Sequence, residues 1–296
     1  MYQNFKELSK NITTTQKTLV VAAAHDSHTL EAVYTAESEL KIKYILVGDR
    51  EKIKSLSSEL GKTADDYIIV DATDDADCAV KAVSMIARGN ADALMKGILD
   101  TGTLLKAVLD KNTGIRDSGT LSHLAILETP AYSKLIGITD GGMIPNPTTQ
   151  QKIDIVRNAV NFLLQIGFTR PKVAALCASE SINPKIQETV DAARLQEMCK
   201  KGELGNCLLE GPLSFDIAIS KESASIKGIS SEISGETDIL LVPNITVGNV
   251  LAKALIYWAN SKMAGIILGA KVPIVLASRG ASSEEKLLSI LLSTAL

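Results

Sequence analysis

A serine and an arginine at the end of a short apolar strand form the part of this sequence best suited to chemistry. The strand begins near Pro273 and stops at Ser278, Arg279 and Gly280, after which a helical pattern starts. Arginine is always charged and can hold an oxyanion at two points, while serine donates beside the N–H groups of a helix end. The turn therefore predicts a place for an anion, or for an oxygen that becomes negative during reaction.

Two glutamates follow this turn, and each has two interpretations. Ser282 and Glu285 have the spacing of a capping box, in which the glutamate side chain accepts from the N-cap N–H group. Glu284 then fits as an acidic first-turn residue that the helix dipole favours. Alternatively, Glu285 or Glu284 acts as a general base beside Arg279. The pattern favours the cap and leaves the base open.

A second turn combines a lysine, glycines and hydroxyl groups. An apolar strand ends at Lys96 and Gly97, and a helix begins near Thr101 to Thr103. Glycine lets the backbone approach a ligand, and a helix N-terminus attracts negative charge. One interpretation is a phosphate cradle, although it is not a Walker motif. The other is that Asp100 or Thr101 only caps the helix and Lys96 is solvated.

A third turn carries amide and hydroxyl side chains. After a strand that begins at Asp238, Asn244 and Thr246 precede a helix whose predicted N-cap is Asn249. These three side chains are suited to binding an amide, a hydroxyl or a phosphate group. A capped connection with a satisfied backbone is an equally good interpretation.

Short apolar strands and amphipathic helices alternate around these turns. The predicted strands are 18–23, 44–47, 67–70, 93–95, 135–139, 173–177, 239–242, 265–268 and 273–277. The clearest helical patterns are 27–40, 75–88, 103–110, 148–166 and 249–263, and 209–216 is interpreted as an irregular loop. This alternation predicts a doubly wound α/β fold, in which ligands bind at the carboxyl ends of strands. We expect one domain from 1–120 with 268–296 and a second from 121–267.

Composition and charge limit the class of function. The chain has 296 residues, a net charge of −3 and 46% hydrophobic residues, with a pI near 5.7. A nucleic-acid binder usually shows a basic stripe or a high pI, so no nucleic-acid partner is expected. No apolar segment approaches the roughly 18 residues of a membrane span, and no signal-peptide pattern is present, so no membrane partner is expected.

The cysteines and histidines do not form a motif. The four cysteines lack a C-x-x-C pair, and the three histidines are dispersed, so no metal site is expected. Free thiols indicate a reducing cytoplasm. Cys177, at a strand end, is interpreted as a structural thiol rather than a nucleophile.

Taken together and in order, several blocks resemble the phosphate acetyl/butyryltransferase family over nearly the whole chain. The blocks are 91–97, 138–148, 171–177, 183–185, 189–193, 210–216, 238–253 and 268–279. The runs Val-Pro-Asn-Ile-x-x-Gly-Asn-Val-Leu at 242–251 and Leu-Gly-Ala-Lys-x-Pro-Ile-Val-Leu at 268–276 look more like the butyryl branch than the acetyl branch.

The resemblance implies two α/β/α domains with an inter-domain cleft, in an isocitrate-dehydrogenase-like architecture. It implies the reaction of a short-chain acyl-CoA with orthophosphate to give acyl phosphate and free CoA, in either direction. No metal or other cofactor is implied, because CoA is a substrate. A homodimer or higher homo-oligomer is also implied.

The resemblance further implies roles for particular residues. The family's Ser-Arg pair matches Ser278 and Arg279, and its proposed base is an aspartate at the position of Glu285, which is one methylene longer. Where acetyl-branch members have serine, this chain has Lys96, which we interpret as added positive charge for phosphate. Two other interpretations stay open. One is a CoA-binding protein of this fold without turnover, and the other is a metal- and NAD-dependent decarboxylating dehydrogenase of related fold.

Overall fold

The structure of the protein is a computed structural model that describes residues 2–12, 16–117, 119–276 and 281–296. The helices are α1 (Phe5–Asn11), α2 (Ser27–Leu40), α3 (Arg50–Glu59), α4 (Asp75–Ala87), α5 (Thr101–Val108), α6 (Thr149–Gln165), α7 (Gln187–Lys200), α8 (Phe215–Ile219), α9 (Lys221–Ile226), α10 (Ile245–Ala259) and α11 (Ser283–Ser293). The strands are β1 (Thr18–Ala22), β2 (Lys43–Gly48), β3 (Ile68–Asp71), β4 (Ala93–Lys96), β5 (Ser122–Glu128), β6 (Ile136–Thr139), β7 (Lys172–Leu176), β8 (Leu208–Leu213), β9 (Ile239–Leu241), β10 (Lys262–Leu268) and β11 (Ile274–Val275). Strands and helices alternate, which confirms the predicted α/β class.

The chain divides into two compact units. One consists of Ser9–Ser118 and Ala264–Leu296, and the other of Met1–Leu8 and Gly119–Met263. We call them the outer-segment unit and the middle-segment unit, after the parts of the chain that form them. The domain boundaries expected from the sequence, at 120/121 and 267/268, stay a prediction about independently folding domains.

Strands of the outer-segment unit lie in the order β3-β2-β1-β4-β11-β10. The pairs β1–β2, β2–β3, β1–β4 and β4–β11 are parallel, whereas β10 and β11 are antiparallel. Val20 lies beside Leu94, and Leu94 lies beside Ile274 on the next strand. All three are fully buried on one face, and Val21 and Met95, the next residues, are at most 1% exposed on the opposite face, so the middle of this sheet is covered on both faces.

Aspartates begin four consecutive helices in this unit. The side chains of Asp26, Asp49, Asp74 and Asp100 each accept from the backbone N–H three residues later, at 2.8 to 3.1 Å. A short side-chain oxygen at the N-cap satisfies a backbone donor that the helix leaves unpaired. The sequence thus sets the point at which each strand-to-helix turn ends.

In the middle-segment unit the strand order is β5-β6-β9-β7-β8. Strands β6, β9, β7 and β8 are parallel to their neighbours, and β5 is antiparallel to β6. A buried cluster that includes Leu127, Ile138, Leu176, Ile217 and Leu240 fills the space between this sheet and helices α8 to α10. Burial of this apolar surface is the main stabilising contribution to the unit.

Buried ion pairs reinforce the middle-segment unit. The Lys134 ammonium lies 2.6 Å from Asp238, and both side chains are at most 5% exposed. Lys152 and Asp191 form a similar pair at 2.7 Å. Asp238 also accepts from the backbone N–H of Lys172 at 2.8 Å, so its second oxygen is satisfied. A buried pair of this kind is costly to break, because the remaining charge has no water around it.

The prediction of the strands from the sequence was wrong in two places. Residues 122–128 form β5, which was not predicted, and residues 208–213 form β8, which was taken as part of an irregular loop. Gly211 and Pro212 suggested a loop because glycine and proline weaken strand interiors. Since β8 lies at the edge of its sheet, only one side of it pairs, and proline is tolerated there.

Candidate functional site

The turn after β4 lies at the carboxyl edge of the sheet in the outer-segment unit. Lys96 is the last residue of β4 and is half-buried. Its Nζ donates to the carbonyl oxygens of Gly97 at 3.0 Å and Leu99 at 2.9 Å. The lysine therefore holds the turn in shape in addition to placing a positive charge at the strand end, and it is not the solvated side chain of the second interpretation.

Gly97 is needed because the end of β1 passes very close to it. A β-carbon at position 97 would lie 2.1 Å from the carbonyl oxygen of Ala23 and 2.7 Å from that of Ala22. The N–H of Gly97 donates to Ala22 at 2.8 Å, and that of Ile98 donates to Ala23 at 3.0 Å. This contact between two backbones explains the glycine without a ligand, whereas the sequence suggested ligand approach.

Asp100 caps the helix that follows the turn. Its carboxylate accepts from the N–H of Thr103 at 3.1 Å, which confirms the capping interpretation of this segment. Thr101 is exposed and Thr103 is half-buried. Because the cap uses one donor and adds a negative charge at the helix N-terminus, phosphate binding here depends on the remaining donors and on Lys96. The binding of phosphate by Lys96, Gly97, Thr101 and Thr103 stays a prediction.

Strand β11 ends at the same sheet edge as β4. It runs parallel to β4, with Val275 beside Met95, so both strands point toward the edge at which Lys96 lies. Ser278 and Arg279 follow three and four residues after Val275, and they lie outside the described residues. The roles of Ser278 and Arg279 stay a prediction.

The two glutamates of α11 differ in their surroundings. Glu284 is exposed, whereas Glu285 is half-buried, and burial raises the pKa of its carboxyl group above the usual value. Ser282 caps α11 by accepting from the N–H of Glu285 at 3.1 Å. Within the described residues, no hydrogen bond returns from the Ser282 N–H to the Glu285 carboxylate. The cap therefore uses the Glu285 backbone, and the role of its carboxyl group as a general base stays a prediction.

In the middle-segment unit, Asn244 and not Asn249 begins α10. The Asn244 side chain accepts from the N–H of Val247 at 3.1 Å, so the predicted N-cap at Asn249 was wrong. Thr246 and Asn249 are exposed residues of the first turns of the helix. Asn244, Thr246 and Asn249 thus lie on one helix end, which follows the carboxyl end of β9.

Two glycines explain why the helix starts earlier than expected. A β-carbon at Gly248 would lie 2.6 Å from the Cα atom of Gly141, in the turn after β6. Gly248 was read as part of a polar turn, but it allows α10 to pack directly against that turn. The N–H of Ile245 also donates to the carbonyl of Pro145 at 3.1 Å. The start of α10 is therefore set by its packing on the 141–145 segment.

A buried aspartate organises that segment and was not among the predicted site residues. Asp140 is 2% exposed, and its carboxylate accepts from the backbone N–H groups of His123, Gly142, Met143 and Ile144 at 2.9 to 3.2 Å. A carboxylate with several such donors stabilises a tight turn without a cation. The Asp-Gly-Gly sequence directly after a strand was the available signal for this turn.

His123 lies against this turn and has a perturbed imidazole. Burial lowers the pKa of His123, and the nearby Asp140 carboxylate opposes that shift only in part. Its Nδ1 atom is buried and makes no hydrogen bond within the described part of the chain. The imidazole is therefore neutral near pH 7, which suits a packing contact and does not supply positive charge for a substrate.

Three further features bear on the chemistry of the protein: the Cys177 thiol, groups of possible metal ligands and helices that could cross a membrane. Burial raises the pKa of the Cys177 thiol to about 12, so the thiol stays protonated at neutral pH, as expected for a structural cysteine. Among the residues that the structure describes, no three His, Cys, Asp or Glu side chains converge as metal ligands. The same residues include no helix whose length and apolar character would let it cross a membrane.

Comparison with known proteins gives one consistent result. Residues 73–294 match the family profile described as "Phosphate acetyl/butaryl transferase". The chain is 41% identical to the phosphate butyryltransferase of Clostridium acetobutylicum, over 99% of this chain and 98% of that protein. It is 39% identical to the phosphate acetyltransferase of Thermotoga maritima, over 94% of each chain. The crystal structure of a branched-chain phosphotransacylase from Enterococcus faecalis superposes with a TM-score of 0.83 at 34% identity, over 95% of this chain and 98% of that one.

Proposed function

This chain belongs to the phosphate acetyl/butyryltransferase family and is a phosphotransacylase, and we propose that it transfers a short-chain acyl group between CoA and orthophosphate. The reaction is acyl-CoA plus phosphate giving acyl phosphate plus CoA, in either direction. The observation that carries this proposal is the 41% identity to a phosphate butyryltransferase over 99% of the chain. The butyryl branch is favoured by the sequence runs at 242–251 and 268–276.

The proposed chemistry is acyl transfer to a thiolate. In the direction that forms acyl-CoA, Glu285 removes the proton from the CoA thiol, and Glu284 is the alternative base. The thiolate attacks the acyl carbonyl, a carbon–sulfur bond forms, and the bond from carbon to the phosphate oxygen breaks. A free thiol with a pKa of about 8.5 is mostly protonated at neutral pH, so a base is needed. The raised pKa and partial burial of Glu285 support it over Glu284.

Stabilisation of the negative charge that develops on the carbonyl oxygen is assigned to the serine-arginine pair. Arg279 and Ser278 would donate to the oxyanion, and loss of one such donor typically costs about 2.7–4 kcal/mol. Lys96, Thr101 and Thr103 would hold the phosphate that leaves. What supports this grouping is that β4 and β11 are parallel neighbours whose carboxyl ends share one sheet edge.

Asn244, Thr246 and Asn249 are proposed to contact CoA or the acyl group. This proposal is supported by the N-terminus of α10, which follows the carboxyl end of the parallel strand β9. This helix end presents two exposed polar side chains, Thr246 and Asn249. CoA and phosphate are the proposed small-molecule partners, and a homodimer or higher homo-oligomer is the proposed assembly. A cytoplasmic location is proposed because all four cysteines are free thiols, as is usual in a reducing compartment.

The test is a thiol-release assay with purified protein, orthophosphate and a series of acetyl-, butyryl- and branched-chain acyl-CoA esters. We expect release of free CoA that requires phosphate, with a preference for one acyl length. Arg279→Gln should lower kcat by a factor of about 10² to 10³ while circular dichroism stays unchanged. Binding of CoA without phosphate-dependent thiol release would instead identify a CoA-binding protein without turnover.

The two glutamates provide a matched pair for the base. Glu285→Gln preserves the backbone that Ser282 caps but cannot accept a proton, so kcat should fall by a factor of about 10² to 10⁴. Glu284→Gln changes a neighbouring exposed carboxyl and should keep most of the activity. The opposite result would assign the base to Glu284, and two active variants would remove both residues from proton transfer.

A further inference from the structure

Two of the four cysteines are in contact within the middle-segment unit. Cys199 lies in the last turn of α7, and Cys207 lies directly before β8. Their Sγ atoms are 3.7 Å apart, so the two sulfur atoms touch. The two residues are separated by eight positions in the sequence, and no C-x-x-C motif marks them. The contact is therefore a product of the fold, which places a dithiol where the sequence showed only dispersed cysteines.

The connection between α7 and β8 folds back on the end of the helix. Gly202 and Gly205 have φ angles of 77° and 90°, which glycine adopts without strain. The N–H of Cys207 donates to the carbonyl oxygen of Gly205 at 3.0 Å. The Sγ atom of Cys199 lies 3.4 Å from the carbonyl oxygen of Cys207. This turn holds Cys207 against the last turn of α7, which brings the two thiols together.

A cavity of about 690 Å³ opens beside the dithiol. Its volume lies within the range of roughly 300–1,000 Å³ that is usual for small-molecule sites. Both cysteines line it, together with the charged residues Arg170, Lys200 and Glu210. A ligand that carries charges of both signs therefore fits this lining. Cys199 is half-buried and Cys207 is 5% exposed, so a molecule in the cavity reaches the Cys199 sulfur first.

The second thiol is protected from direct reaction. Burial raises the pKa of the Cys207 thiol, the adjacent Cys199 adds to the rise, and Arg170 opposes it only in part. Since the thiolate is the nucleophile, Cys207 reacts slowly with a reagent in solution. Its contact with Cys199 gives it a high effective concentration toward a sulfur bound there. An exposed attacking thiol with a buried second thiol beside it is the arrangement of a redox-sensitive pair.

We propose that Cys199 and Cys207 are a redox site that takes low-molecular-weight disulfides and closes to an intramolecular disulfide. In the first step the Cys199 thiolate attacks one sulfur of the reagent, a sulfur–sulfur bond forms, and the other half of the reagent leaves. In the second step the Cys207 thiolate attacks Cys199 Sγ and releases the remaining half. The two protons of the protein thiols pass to the two released thiolates. The protein is oxidised by two electrons, and the reagent is reduced to two thiols.

Closure of this disulfide needs a small movement. Sulfur atoms in a disulfide are about 2.05 Å apart, so the two Sγ atoms have to approach by roughly 1.7 Å. A β-carbon at Gly202 would meet no atom within 4 Å, so the connecting turn has open space in which to shift. A metal ion is a poorer occupant, because the described residues bring no third His, Cys, Asp or Glu side chain to the pair.

This inference is independent of the proposed acyl transfer, and its test uses no acyl-CoA. The whole chain is reduced, desalted, incubated with mixtures of reduced and oxidised glutathione, quenched with acid and digested with trypsin. Cys199 and Cys207 then lie on different peptides, 195–200 and 202–221. We expect mass spectrometry to show a cross-link between these two peptides that forms with oxidised glutathione and is lost with dithiothreitol. Phenylarsine oxide, which bridges two neighbouring thiols, should protect the parent chain from this cross-link.

Alanine variants separate the roles of the two thiols. Cys207→Ala lacks the second thiol and should accumulate a glutathione adduct on Cys199. Cys199→Ala leaves only the buried thiol and should react at least tenfold more slowly than Cys207→Ala. Cys177→Ala is the matched control, because Cys177 is also half-buried but lies outside the pair, and it should form the cross-link at the parent's rate. Circular dichroism reports on the folding of each variant.

Three results would overturn the inference. The first is a parent chain that forms no cross-link at any ratio of oxidised to reduced glutathione. The second is a cross-link that joins other cysteines or two separate chains. The third is a folded Cys207→Ala variant without an adduct on Cys199, or one that reacts no faster than Cys199→Ala.

Discussion

Replacement of Gly97 by alanine tests the backbone contact that shapes the turn after β4. The new β-carbon would lie 2.1 Å from the Ala23 carbonyl oxygen, whereas ordinary van der Waals contact begins at 3.4 Å. Because the nearest atoms belong to the backbone of Ala22 and Ala23, no side-chain rotation relieves the clash. The two chain segments have to separate by more than an ångström.

The expected cost of Gly97→Ala combines two contributions. Overpacking of a well-packed site costs about 1–3 kcal/mol and occasionally more. Separation of the segments also weakens the hydrogen bonds from Gly97 to Ala22 and from Ile98 to Ala23, each of which contributes about 0.5–1.5 kcal/mol. We therefore expect a loss of about 2–6 kcal/mol in the free energy of unfolding of this unit.

Urea denaturation followed by circular dichroism measures this loss, with Gly102→Ala as the matched control. A β-carbon at Gly102 would meet only the side-chain oxygen of Asp100 that caps α5, at 2.9 Å, and this oxygen would have to shift by a few tenths of an ångström. Alanine within a helix is favoured over glycine by up to about 1 kcal/mol, which offsets a weakened Asp100 cap of about 0.5–2 kcal/mol, so Gly102→Ala should stay within about 1 kcal/mol of the parent. A Gly97→Ala variant within about 1 kcal/mol of the parent would show that the two segments are not in close contact.

Three further predictions concern charged groups. Lys134→Met leaves the buried Asp238 carboxylate without its partner and should cost about 3–5 kcal/mol in urea denaturation, whereas Lys201→Met, at an exposed pair, should change little. Lys172 and Lys221 lower the pKa of the Glu236 carboxyl from 4.5 to about 2, so the stability it contributes above pH 4.5 is lost as the pH falls toward 2. Glu236→Gln should flatten that part of a plot of stability against pH, and an unchanged slope would contradict the assignment. Burial raises the pKa of the Glu285 carboxyl, so this group lowers the free energy of unfolding as the pH rises above 4.5. Glu285→Gln should remove that decrease. A variant with the parent's pH dependence would show that the carboxyl is not desolvated.

Local sequence determined most of the strand-to-helix turns. Aspartates at 26, 49, 74 and 100 mark helix starts in the outer-segment unit, because a carboxylate satisfies N–H groups within three residues of itself. The helix predicted at 27–40 is observed as Ser27–Leu40 for that reason. Signals of this kind act over one turn of chain and do not depend on the rest of the fold.

Glycines were the positions at which local reasoning failed. Gly248 and Gly211 were read as turn and loop residues, but one lies in α10 and the other in β8. A glycine is favoured in a helix or strand when another part of the chain occupies the space that a β-carbon would fill. For Gly248, the part of the chain that occupies this space is Gly141, which lies 107 positions earlier in the sequence. No local pattern contains this information.

The sequence by itself determined the α/β class, the family and the residue types of the candidate site, because these depend on the order of motifs along the chain. Only the tertiary structure decided that β4 and β11 are neighbours and that Glu285 is more buried than Glu284. Each of these properties depends on segments that are distant in sequence and meet only when the apolar surfaces of the chain are buried together.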